Sequence, residues 1–310
     1  MNLNAFHVYY LPEPSTDKWE FINTLVQYAS IVHWKKFYGP IHLYCNTLFY
    51  EEVKKNKLDH LYDSINVDVL DQLPDGKLNK FWSFAKLVAI KNISENYKKF
   101  VVLDTDLWIQ SKLDLDFSRD FLGYHLENIC DHPRNPYIDP RNYVDTNIYN
   151  FNWSVRPVNC AFLYFNSKVL IDTWVDLAEK IVNQSDSIKI NDLSSDTIFI
   201  EQRLISVLAD YLKLSWGTLI KNVYYPEIQA NDRGDEWIPP LGNDEESSYF
   251  AYNIKHVWGL KKRYQEIEIR DLVLSITISS LQQNFPDWQV KIPELVDKIV
   301  YFQRQGELCI

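Results

Sequence analysis

The chain has 310 residues, room for one large domain or two modest ones, and 46% of them are hydrophobic, enough for a sizeable core. Its 32 basic residues against 42 acidic ones leave a formal net charge of -10, which argues against a nucleic-acid partner and against an anionic membrane surface. The cysteines (Cys45, Cys130, Cys160, Cys309) lie far apart without metal-type spacing and read as reduced thiols. The opening MNLNAFHVYYLPEP lacks the basic-then-apolar pattern of a signal peptide, and no apolar run reaches the length of a membrane span. A soluble, cytoplasmic protein with no integral membrane segment is therefore expected. The 10 Trp, 20 Tyr and 16 Phe serve packing, or flat platforms for sugar rings and nucleobases; composition leaves both open.

In chain order, AFHVYY (5–10) reads as a strand ending at the loop LPEP. Asp17, with Glu20 three residues on, has the form of a capping box. Ile22, Leu25, Val26, Ala29 and Val32 continue at helical spacing until FYGP, and IHLYC (41–45) is the next strand. INVDVL (65–70) alternates as a third strand, and PDGK (74–77) marks a turn before a helix carrying Phe81, Phe84, Ala85, Val88 and Ile93. FVVLDTDLWIQ (100–110) then drives an apolar strand into two aspartates. Alternating strands and helices imply βαβ units and a mainly parallel sheet, whose ligands sit beyond the strands' carboxyl ends. Farther on, LGYHLE (122–127) and NCAFLYFN (159–166) read as strands, with helices near 168–183 and 196–213 and a further strand at 222–225. Residues 131–158 and 232–248 read as long loops, and loops of that length inside a compact domain are usually functional. From 263 onward the chain reads as helical, with Pro293 near a helix start, although LVLSITI within it also suits a strand.

Asp104 and Asp106, two residues apart at a strand end, can converge on one cation. Oxygen ligands suit Mg²⁺ or Mn²⁺, which complete their shells with water and substrate phosphates. Such an ion can neutralise charge on a departing diphosphate. His256, in HVWGLKK, offers a further ligand, and the basic run Lys261, Lys262, Arg263 can hold a diphosphate electrostatically.

These blocks occur in a fixed order: KLVAIKN…YKKFVVLDTDLWI (86–109), NCAFLYFNS (159–167), FIEQRLIS (199–206) and HVWGLKK (256–262). Together they resemble the GT-A fold glycosyltransferases, most closely the glycogenin and galactosyltransferase-like group called family 8. The resemblance covers about five-sixths of the chain. It implies a Rossmann-like, mixed but mainly parallel α/β sheet flanked by helices, with a catalytic domain over 1–262 and a helical extension over 263–310. It also implies a metal-dependent, retaining hexosyltransferase that takes a nucleotide-diphosphate sugar, a UDP-sugar foremost, to a glycan, lipid or protein acceptor. By resemblance Asp104, Asp106 and His256 would bind Mn²⁺ or Mg²⁺ with the diphosphate, and Lys262 would contact the diphosphate. Lys86 would lie near the donor's phosphate or sugar, Asn159 and Gln202 would line the sugar side, and Tyr9 or Tyr10 would touch the base. Glu201 is a candidate for the general base. The chain departs from the family pattern in three blocks: Cys160-Ala161 for Ala-Gly, Glu201 and Arg203 for the two acids of Asp-Gln-Asp, and Arg263-Tyr264 for Pro-Trp.

Two other readings stand beside this one. A Mg-dependent phosphohydrolase of the haloacid-dehalogenase type also places Asp-x-Asp after an apolar strand, but it opens its domain there and carries Thr or Val where this chain has Trp108. A non-catalytic sugar- or nucleotide-binding protein could keep the fold without the acid at 203.

Overall fold

The computed structural model describes residues 3–14, 17–74, 83–113, 115–127, 150–184, 197–219, 254–257 and 264–310. The first half runs β1 (Ala5–Tyr9), α1 (Glu20–Phe37), β2 (Ile41–Cys45), α2 (Thr47–Lys55), β3 (Ser64–Asn66), the single turn α3 (Asp68–Asp71), α4 (Phe84–Asn96) and β4 (Phe100–Leu103). There follow β5 (Leu107–Ile109), β6 (Phe121–Gly123), β7 (Phe162–Phe165), α5 (Lys168–Gln184), and a π-helical turn at Phe199–Arg203 that runs straight into α6 (Leu204–Tyr211). The chain continues with β8 (Trp216–Thr218), β9 (Ile254–His256), α7 (Ile267–Asn284), α8 (Trp288–Lys291) and α9 (Pro293–Arg304).

Seven strands form one sheet in the order β3-β2-β1-β4-β7-β6-β8. The pairs β2–β3, β1–β2 and β1–β4 are parallel, β7 runs antiparallel to both β4 and β6, and β8 is parallel to β6. The runs IHLYC, FVVL and FLYF are buried along their whole length. Strands covered on both faces need such unbroken apolar sequence, because neither face meets water. From β1 the chain steps outward to β2 and β3, then returns to β4 on β1's other side. That reversal of strand order opens a crevice beyond the carboxyl ends of β1 and β4, where Tyr9 and Asp104 emerge.

Helices cover both faces. On one, α1 and the carboxy-terminal helices share a core with Leu25, Trp34, Trp108, Leu274 and Leu281. On the other, Leu87 and Ile90 of α4, Trp174 of α5 and Leu208 of α6 form the second core. No helix among the described residues is long and apolar enough to cross a membrane. Gly39, at φ +133°, takes a conformation that side chains disfavour and turns the chain from α1 into β2.

Several local expectations are corrected. The helix starts at Glu20 rather than at a capping box, because Asp17 spends its carboxylate on Trp19 N (3.0 Å) in a turn just before it. The strand expected over 65–70 ends at Asn66, whose carboxamide accepts from Val69 N (3.2 Å) in the turn that leads into α3. LVLSITI is helical, within α7. The expected strand at 222–225, the loop 232–248 and most of the turn at 74–77 lie outside the described residues, as does 128–149 of the long loop.

Candidate functional site

The site begins where β4 stops. Leu103 pairs with Phe162 of β7, and one residue later Asp104 N donates to Ala161 O at 2.8 Å, so the Asn159–Ala161 segment lies alongside the end of β4. Leu107 N donates back to Asp104 O (3.2 Å), closing a tight turn across Thr105 and Asp106. β5 then pairs antiparallel with β9, Leu107 opposite His256, and Val257 N donates to Asp106 O (3.2 Å). This pairing brings a histidine 150 positions away beside the aspartates. Ligand atoms of Asp104, Asp106 and His256 all lie within 4.8 Å of one another. His256 Nε2 is 3.6 Å from Asp106 Oδ1, and the Tyr124 ring stands edge-on to the imidazole at 5.4 Å. Asp106 and His256 are buried, while Asp104 is half-buried.

Lys86, from α4, reaches under this turn. Its ammonium donates to Asp104 Oδ1 (2.7 Å), to Glu201 Oε1 (2.9 Å) and to the Cys160 carbonyl (2.7 Å). Burial alone would lower the Lys86 pKa, but the charges of Asp104 and Glu201 outweigh it and hold the pKa above the ordinary lysine value. Burial pushes the Glu201 carboxyl up, and Lys86 offsets part of that rise. One cation caged by two anions and a carbonyl favours the ion-paired form of the group at neutral pH. Glu201 sits in the π-helical turn, an extra-residue bulge of the kind often found at functional sites.

Asn159 is next to this group, but both ends of its carboxamide are committed within the protein. Nδ2 donates to Glu127 Oε1 (2.8 Å), and Oδ1 accepts from Ala161 N (3.0 Å). Glu127, buried beyond β6 and missed in the sequence reading, is therefore part of the site's wall. Its only signal was a carboxylate at the end of a strand-like run. The Gln202 carbonyl accepts from Val158 N (3.2 Å), linking the π turn to the Asn159 segment. Arg203, at the position where the motif this chain resembles carries an acid, donates to the carbonyls of Trp153 and Val155, fixing the end of the long loop. Tyr9 stacks on Phe49 at 4.2 Å, and Tyr10 packs against the core on the opposite face. Lys262 and Gly259 lie outside the described residues.

The donor set fits a divalent cation. Two carboxylates and an imidazole offer three ligand atoms that could converge on one ion. Lys86 pairs with Asp104 and Glu201, and Asp106 lies beside His256, so acidic groups outnumber this lysine among the described residues of the site.

Sheet order, switch point and helical carboxy-terminal region together define the fold of the GT-A glycosyltransferases. The bifunctional glycosyltransferase WbbM superposes with a TM-score of 0.52 at 15% identity, over 95% of this chain and 51% of that one. The galactosyltransferase LgtC, solved with donor and acceptor sugar analogues, gives a TM-score of 0.41 at 10% identity, over 70% of this chain and 73% of that chain. The PaToxG glycosyltransferase gives 0.38 at 11%, over 68% and 69%. No protein-family model and no curated protein matches the sequence.

Proposed function

We propose that the chain is a metal-dependent glycosyltransferase, a retaining hexosyltransferase that uses a nucleotide-diphosphate sugar, a UDP-sugar foremost. The acceptor is a glycan, lipid or protein, and the catalytic part spans 1–262 with 263–310 as a helical extension. The observation that carries this reading is the convergence of Asp104, Asp106 and His256 at the strand-order reversal. The fold shared with WbbM and the ordered family 8 motifs support it. A divalent cation held there would neutralise the charge that grows on the leaving diphosphate.

The chain's own groups divide the remaining work. Asp104, Asp106 and His256 hold the cation, and Lys262 meets the diphosphate. Lys86 fixes Asp104 and Glu201 beside the donor through its hydrogen bonds to both. Glu201 and Gln202 face the reacting sugar, with Glu201 the candidate base. Glu127 fixes the Asn159 carboxamide, so Asn159 shapes the sugar side through a locked wall. Tyr9 or Tyr10, at the end of β1, touches the base. The free thiols Cys45, Cys160 and Cys309 support a cytoplasmic location.

The test is release of UDP from a panel of UDP-sugars with and without Mn²⁺, by wild type and by Asp104→Asn/Asp106→Asn. Metal-dependent consumption of one donor, abolished in the variant, is expected. Nucleotide binding without turnover would favour the non-catalytic reading. Release of phosphate from a phosphomonoester, lost in the variant, would favour the phosphohydrolase.

A further inference from the structure

A buried polar chain runs behind the metal-binding turn, through residues given no role above. His7, on β1, bonds Tyr62 Oη through Nδ1 (2.8 Å) and Ser30 Oγ through Nε2 (2.9 Å). Ser30, on α1, has its Oγ 2.5 Å from the Leu107 carbonyl, and Gln27 Nε2 donates to Tyr62 Oη at 2.8 Å. All four side chains are buried.

Counting protons gives the chain one direction. A carbonyl only accepts, so the Ser30 hydroxyl donates to Leu107 O, and Ser30 Oγ takes its other bond from His7 Nε2–H. His7 lies wholly out of water, which holds its pKa down at about 3 and keeps the ring neutral, so Nδ1 accepts. The Tyr62 hydroxyl proton fills that acceptor, and Tyr62 Oη accepts from Gln27. The relay then runs in the order Gln27, Tyr62, His7, Ser30, Leu107.

Its end point matters. In the β5–β9 ladder Val257 N bonds Asp106 O, so the antiparallel alternation turns the backbone of Leu107 away from β9. The Leu107 carbonyl needs a donor from elsewhere, and Ser30 supplies it. The turn is then held by Asp104 N to Ala161 O, Leu107 N to Asp104 O, Val257 N to Asp106 O, and Ser30 Oγ to Leu107 O. The first three come from the strands and the turn itself. The fourth is the one delivered through side chains from β1 and α1.

We propose that His7 and Ser30, oriented by Tyr62 and Gln27, are positioning residues that hold the Asp106–Leu107 backbone so that the Asp106 carboxylate is pre-aligned for the divalent cation. This rests on the metal–nucleotide reading above. Supporting hydrogen bonds behind metal ligands commonly control affinity by about 10–100-fold, and a site loosened at its backbone loses that alignment without losing a ligand.

The test is Mn²⁺ titration in the presence of UDP, followed by the free-ion EPR signal, for wild type, Ser30→Ala and Thr277→Val. Thr277 is equally buried but donates to its own helix at Val273 O (2.7 Å) and does not reach the turn. Ser30→Ala should weaken Mn²⁺ by about tenfold or more, while Thr277→Val stays within about twofold of wild type on the same scale. Unchanged affinity in Ser30→Ala, with wild type binding normally, overturns the positioning role alone. Absence of UDP-linked Mn²⁺ binding in wild type overturns the metal reading and this role with it. Should Ser30→Ala fail to fold, ¹⁵N NMR of His7 in the wild-type chain decides: a proton on Nε2 with Nδ1 bare is expected, and a protonated Nδ1 overturns the relay.

Discussion

Lys86 lends one ammonium to two carboxylates, and the two do not depend on it equally. Asp104's side chain is 35% exposed and shares its charge with water, whereas Glu201's is 5% exposed and has no such relief. Lys86→Met should therefore cost about 3–5 kcal/mol, chiefly through the stranded Glu201 carboxylate. Urea unfolding at pH 7 measures this, and a loss below about 1 kcal/mol would show that the pair contributes nothing net. At this scale Asp104, Asp106 and His256 were legible because Asp-x-Asp after an apolar strand and a histidine in an ordered block are local patterns. Glu127's hold on Asn159 was not, since it joins residues 32 apart across two strands. Arg203 was legible as a departure from the family, but its turn toward the Trp153 and Val155 carbonyls depends on where the loop returns.

Three residues of β5 carry much of the site's framework. Trp108 is buried at 1% exposure, and its indole N–H donates to Ser280 Oγ (3.0 Å), which also bonds His33 Nε2 (3.0 Å). One side chain thereby ties β5 to α7 and α1. Trp108→Ala should destabilise the fold by about 3–5 kcal/mol, from the cavity and the lost indole together. Denaturant unfolding reads the change, and a value under about 1 kcal/mol would mean that α7 collapses freely onto β5. Strands buried on both faces announced themselves as apolar runs, and α1, α4 and α5 followed from their spacing. The π turn did not, because a 3.6-residue period gives no reason to insert an extra residue at Glu201. Nor did the end of β3, where the alternation of INVDVL favoured a longer strand and the turn closed by Val69 N on the Asn66 carboxamide overrode it.

Across the whole molecule, buried histidines set how the fold responds to acid. Burial holds His7 at about 3 and His33 at about 4, and it lowers His42 and His125 as well. Each is neutral in the folded state and takes up a proton near 6.5 once unfolded. Their contribution is thus complete above pH 6.5 and is lost as pH falls toward the folded values. His7 and His33 should each cost roughly 2–3 kcal/mol between pH 6.5 and 4.5. Glu201, with its carboxyl raised, works in the opposite sense over part of that window but is offset by Lys86. Urea midpoints should accordingly fall steeply from pH 7 to 4.5, and a midpoint that holds or rises would show these rings to be solvated.

The proposed function rests on the whole molecular architecture, a sheet reversal with a turn bringing two carboxylates and an imidazole together, and it predicts that binding of a nucleoside diphosphate depends on a cation. Titration calorimetry of UDP into the wild-type chain, with Mn²⁺ and again with EDTA, and then into Asp106→Asn, addresses this without knowledge of the acceptor. Binding that requires Mn²⁺ and disappears in Asp106→Asn is the expected result; UDP affinity indifferent to both the metal and Asp106 would contradict it.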